Sequence, residues 1–122
     1  MADKAKKILI VEDEKAIAKA LKLKLEHEGY EAVVNNSGAG VVDIIKKEKP
    51  ALMLLDLVMP KVDGFAVLEK LKEEKIHIPV IVLSNLSQEE DEKKAKALGA
   101  KEFFVKSNVL LNDVVDHVAK IV

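Results

Sequence analysis

The chain has 122 residues, 49% hydrophobic and 34% charged, with 20 basic residues against 21 acidic ones and a formal net charge of -1. That length suits one packed domain, read here as a single domain over residues 1–122 with no second folded output module. The near balance of charge argues against direct nucleic-acid binding or attraction to anionic lipid. The absence of cysteine excludes disulfides and thiolate or zinc-finger chemistry and fits a reducing cytoplasm.

In chain order, the first apolar run, Lys7 to Val11, stops at Glu12-Asp13-Glu14, too early for a signal peptide or a membrane span. It reads as a strand. A helix is predicted over Lys15 to Glu28, with Ile17, Ala20, Leu21 and Leu25 on one face and Gly29 as its stop. Glu31 to Val34 follows as a strand, then a helix near Gly40 to Lys47 with Val41, Val42 and Ile45 inward. Leu52 to Leu55 is a strand of continuous aliphatic residues. A helix follows near Phe65 to Glu73, with Phe65, Leu68 and Leu71 inward and Asp63 as its N-cap.

Val80 to Leu83 is another aliphatic strand. The next helix, about Gln88 to Leu98, opens on a Ser87-x-x-Glu90 capping pattern and ends at Gly99. Only Ala95 and Leu98 give it apolar grip, so weak anchoring is expected. Phe103 to Val105 forms the last strand, and Val109 to Val122 the last helix, striped by Leu111, Val114, Val115, Val118 and Ile121. Five strands joined by helical crossovers predict a doubly wound α/β fold: a five-stranded parallel sheet in the order 2-1-3-4-5, with helices on both faces.

In such sheets the ligand site lies beyond the carboxyl ends of the strands, where the strand order reverses. The residues that follow the strands there are Glu12 and Asp13 after the first, Asp56 after the third, Ser84 after the fourth and Lys106 after the fifth. Each alone has a plain reading: acids often open a loop, serine caps helices, and lysine is solvated. Together they set carboxylates, a hydroxyl and an ammonium above one edge. Clustered carboxylates repel unless a cation joins them, and hard oxygen donors with room for water suit magnesium. An ionised carboxylate offset by that cation and by Lys106 could attack a phosphodonor and form an acyl phosphate.

The segments Ile8-Leu-Ile-Val-Glu-Asp-Glu14, Asp56-Leu-Val-Met-Pro-Lys-Val-Asp-Gly64, Pro79-Val-Ile-Val-Leu-Ser84 and Gly99-Ala-Lys-Glu-Phe-Phe-Val-Lys106 closely resemble the receiver domains of two-component response regulators. The resemblance covers essentially the whole chain and implies the flavodoxin-like form of the fold. It implies that Asp56 accepts a phosphoryl group from a histidine kinase or a phosphotransfer protein. Asp13, Glu12, Asp56 and the Val58 carbonyl would hold Mg2+ or Mn2+, and Lys106 would pair with the phosphoryl group. Ser84 would bond a phosphoryl oxygen and swing inward, with Phe103 following as the aromatic switch. The fourth helix, fifth strand and fifth helix would present the altered face to a downstream protein. The implied protein is a cytoplasmic signalling switch, not a turnover enzyme, acting as a monomer or a phosphorylation-dependent dimer.

Two positions depart from the family pattern. Asn85 stands where a small residue is usual, and would narrow access to Asp56 or position water there. Ser107 replaces a proline usually joined through a cis bond. A cis bond before a non-proline residue costs about 2.5–4 kcal/mol, so a trans bond and a shifted loop are expected. A shift that removed Lys106 would leave a degenerate receiver acting as a phosphorylation-independent interaction module. Two other readings fail on the sequence. A dehalogenase-like phosphatase needs a second acid at the position of Val58, and a flavin or nucleotide carrier needs a glycine-rich phosphate loop after the first strand. His27, His77 and His117 lie away from the acidic strand ends and read as solvated or half-buried.

Overall fold

The computed structural model describes residues 6–59, 62–86 and 88–122, with the backbone alone described at Asn108. The elements in chain order are β1 (Lys7–Val11), α1 (Lys15–His27), β2 (Glu31–Asn35), α2 (Val41–Glu48), β3 (Leu52–Leu55), α3 (Gly64–Glu73), β4 (Val80–Ser84), α4 (Glu89–Ala97), β5 (Glu102–Val105), a 3-10 turn (Lys106–Asn108) and α5 (Leu111–Ile121). The strands are parallel in the order β2-β1-β3-β4-β5.

Alternation along the strands divides the core into two layers. Leu9, Val11, Met53, Leu55, Val80 and Val82 meet Val41 and Ile45 of α2, Val67, Leu68 and Leu71 of α3, and Ala95 of α4. Ile8, Ile10, Leu52, Leu54, Ile81 and Leu83 meet Ala18, Leu21 and Leu25 of α1 and Val114, Val115 and Val118 of α5. The three central strands are therefore covered on both faces, as their aliphatic runs require. The edge strands β2 and β5 are only partly buried.

Most differences from the sequence reading concern element ends. After β5 the chain makes its 3-10 turn and then runs extended through Val109 and Leu110, so α5 begins at Leu111. The N-cap of α4 is Gln88, one residue later than the capping pattern implied; Ser87 itself lies outside the described residues, as does Pro60. Asp63 caps α3 as expected, its Oδ1 accepting from the Ala66 amide at 2.8 Å. Gly29 and Gly99 end α1 and α4 in the left-handed region, at φ +93° and +110°, where a side chain would be strained.

The inward faces of the helices also differ in detail. In α1 Ala18 is buried, while Ile17 packs only partly and Ala20 is half-buried. In α3 Val67 takes the buried place assigned to Phe65, which is only partly buried with the Lys94 ammonium 4.4 Å above its ring. Ala95 is the single buried residue of α4, so that helix is thinly held. Its first turn is wholly acidic and its last turn carries Lys94 and Lys96, the order that the helix dipole favours. No helix among the described residues is long and apolar enough to cross a membrane.

Candidate functional site

The sheet register builds the site. Val11 of β1 lies beside Leu55 of β3, so the next residues, Glu12 and Asp56, emerge side by side at the edge where the strand order reverses. Two amides extend that pairing past the strand ends: Asp56 donates to the Val11 carbonyl at 2.9 Å and Glu12 to the Asn35 carbonyl at 3.1 Å. The Asn36 side-chain amide donates to the Glu12 carbonyl at 2.9 Å. Carboxylate oxygens of Glu12, Asp13 and Asp56 lie within 4.8 Å of one another. Glu12 is 2% and Asp56 4% exposed.

Gly64 seats the loop that follows Asp56. A Cβ there would collide with the Asp56 carbonyl oxygen and stand 2.7 Å from the Leu57 Cα. With no side chain, the start of α3 lies against that segment, and the Gly64 amide donates to the Leu57 carbonyl at 2.9 Å.

Lys106 leaves the end of β5, next to the Ser84 position, and reaches over the end of β4 to the acids. Its Nζ is 2.8 Å from Glu12 Oε1, 3.2 Å from Asp56 Oδ2 and 3.3 Å from Glu14 Oε1. Among the described residues no peptide bond is cis, so the bond to Ser107 is trans as expected. The substitution has not carried Lys106 out of the site.

Three carboxylates, of Glu12, Glu14 and Asp56, thus face one ammonium, and Asp13 joins Glu12 and Asp56 in the acidic cluster. Burial pushes the Glu12 carboxyl up to about 7, aided by the Asp56 charge and opposed by Lys106 and the Glu14 amide. Asp56 is also raised, by burial first, against the pull of the Val58 amide and Lys106. Burial disfavours the Lys106 charge, but its bonds to Glu12 and Asp56 outweigh that and raise it. Hard oxygen donors this close, with excess negative charge, fit a divalent cation that keeps some of its water.

The other expected residues are placed less directly. Ser84 is fully buried, but its Oγ accepts from the Leu86 amide at 3.2 Å; among the described residues it has no hydrogen bond to Asp56. Phe103 is partly buried against the α2–α3–α4 layer. Val58 is 55% exposed and donates its amide to Asp56 Oδ1 at 3.2 Å. Asn85 is exposed beside Ser84. His27 is exposed, as is His77, and His117 is half-buried, edge-on to the Phe104 ring. Sequence reasoning passed over Glu14 and Asn36, which adjoin the acidic pair. The acidic run Glu12-Asp13-Glu14 was the one available signal for Glu14.

Comparison with known proteins decides the family. The pattern of the response regulator receiver domain matches residues 8–118. The chain belongs to that family.

This receiver is 35% identical over 101 residues to the alkaline phosphatase synthesis transcriptional regulatory protein PhoP of Bacillus subtilis, covering 83% of this chain and 42% of that protein. It is 40% identical over 101 residues to the probable transcriptional regulator ycf27 of Cyanophora paradoxa, with the same coverage. The chain spans about two-fifths of the length of such relatives. Among solved structures, it is similar to the receiver domain of Francisella response regulator 1452, with a TM-score of 0.89, 27% identity and 95% of each chain covered. It is also similar to the receiver of a histidine kinase from Syntrophus aciditrophicus, at 0.83 and 34%, covering 96% of this chain and 89% of that one. As a receiver, the domain is a phosphorylation-regulated switch of two-component signalling, a signalling module rather than a classical enzyme.

Proposed function

We propose that Asp56 is the phosphoacceptor and that the switch works through magnesium, or manganese, held by Glu12, Asp13, Asp56 and the Val58 carbonyl. The observation that carries this reading is the Lys106 ammonium lodged between Glu12 and Asp56 at 2.8 and 3.2 Å, beside carboxylate oxygens within 4.8 Å of one another. Bound there, the metal would offset the excess negative charge and polarise a phosphodonor. Asp56 supplies the attacking oxygen, kept in place by the Val58 amide. Lys106 neutralises charge on the transferring group and shields Asp56 from its acidic neighbours.

The donor is a histidine kinase or a histidine phosphotransfer protein. Ser84 leaves the Leu86 amide to bond a phosphoryl oxygen, and Phe103 moves into the space released. The thinly anchored α4, with β5 and α5, changes its presentation to a downstream protein. The domain acts in the cytoplasm, as a monomer or a phosphorylation-dependent dimer.

Beryllofluoride, a stable mimic of the phosphoryl group, tests this reading. With magnesium it is expected to shift the amide NMR signals of Ser84, Phe103 and α4, and to leave an Asp56→Asn variant unmoved. An unresponsive wild-type spectrum would favour the phosphorylation-independent module.

A further inference from the structure

The Lys106 ammonium stands against three carboxylates. It donates to Asp56 at 3.2 Å and to Glu14 at 3.3 Å, and pairs with Glu12 at 2.8 Å. A phosphoryl oxygen arriving on Asp56 must compete with these carboxylates for the ammonium. Glu12 is buried, makes the shortest contact and belongs to the acidic cluster. Asp56 is itself the residue that becomes modified.

Glu14 differs from both. Its side chain is 48% exposed, its contact is the longest, and its position is set by the backbone, since its amide donates to Glu12 Oε2 at 3.0 Å. Water can solvate its carboxylate as soon as the ammonium leaves, so release there costs least.

We infer that Glu14 is a positioning residue that holds Lys106 at rest and competes with the incoming phosphoryl group for it, slowing modification by donors of high negative charge. This inference rests on Asp56 being the phosphoacceptor.

With acetyl phosphate the reaction balances as follows. An Asp56 carboxylate oxygen attacks phosphorus, the bond from phosphorus to the acetyl oxygen breaks, and acetate departs with the electron pair. The product is the acyl phosphate, and the total charge is unchanged. During this step the transferring oxygens need the Lys106 hydrogen that Glu14 occupies, and the Glu14 charge repels them. The repulsion crosses solvent, so its effect is that of one screened charge.

The test compares phosphorylation rates of the wild-type protein and Glu14→Gln under saturating magnesium, followed by intact mass. Dianionic acetyl phosphate and singly charged phosphoramidate serve as donors, at low and high salt. Glu14→Gln is expected to react about three- to tenfold faster with acetyl phosphate at low salt. The gain should be smaller with phosphoramidate and should shrink at high salt. A purely structural role would move both donors alike. An unchanged or slower rate with acetyl phosphate, or an equal gain with both donors, in a wild-type protein that does become phosphorylated, overturns the role of Glu14 alone. No phosphoryl gain in any variant overturns the phosphoacceptor reading and this one with it.

Discussion

Replacing Lys106 with methionine should destabilise the metal-free protein in a strongly pH-dependent way. The Lys106 side chain is 7% exposed and bridges Glu12 and Asp56, at 3% and 4%. Removing one partner of a buried ion pair costs about 3–5 kcal/mol when the remaining charge cannot escape. Here protonation offers an escape. The folded Glu12 carboxyl already sits at about 7, above its ordinary value of 4.5, and loss of the lysine raises it further. An acid whose folded value is raised binds more protons folded than unfolded, so stability falls as pH climbs from the ordinary value through the folded one.

At pH 5.5 the freed carboxyls can take up protons, and the variant should lose about 1.5–3 kcal/mol, the worth of a hydrogen bond to a charged group. At pH 8, holding Glu12 protonated costs about 1.4 kcal/mol for each unit above its folded value, and the loss should approach about 3–4 kcal/mol. Urea unfolding at both pH values measures this. Magnesium should recover part of the loss at pH 8, because a cation can take over the neutralising role. An equal loss at the two pH values, or none at pH 8, would refute the claim that Lys106 offsets buried negative charge.

Three further outcomes follow from the same geometry. Gly64→Ala should cost about 1–3 kcal/mol through overpacking against Asp56 and Leu57, although alanine is the better helix former by about 1 kcal/mol; a thermal midpoint at or above that of the wild type would show that the helix start yields freely. Magnesium affinity, followed by calorimetry, should fall by about tenfold per pH unit below about 7 as protons compete for Glu12 and level off above, whereas a flat profile would remove Glu12 from the binding group. In α1, Leu25→Ala should cost about 2–5 kcal/mol because Leu25 is fully buried. Leu23→Ala, at a position 56% exposed, should cost less than about 0.5 kcal/mol; similar unfolding midpoints for the two variants would contradict the packing described.

The aliphatic runs of β1, β3 and β4 could be read from the sequence because strands covered on both faces carry no polar alternation. The acids after β1 and β3 could be read because the switch-point rule assigns chemistry to that edge. The weak hold of α4 was also legible in its thin apolar stripe of Ala95 and Leu98. What the sequence hides is three-dimensional competition. Lys106 and Glu14 are 92 positions apart, and nothing in either segment says that one ammonium would be shared among three carboxylates. That Val67 is buried while Phe65 is only partly so, with the Lys94 ammonium over its ring, depends on packing in three dimensions. The buried, locally bonded Ser84 hydroxyl depends on a turn that closes onto it through the Leu86 amide, for which the sequence carries no distinct signal.

The most direct test of the central claim is the intact mass of the protein after incubation with magnesium and acetyl phosphate and a rapid quench. The account predicts a gain of one phosphoryl group that is absent from Asp56→Asn and from a magnesium-free sample. No gain in the wild-type protein, or an equal gain in Asp56→Asn, would contradict it.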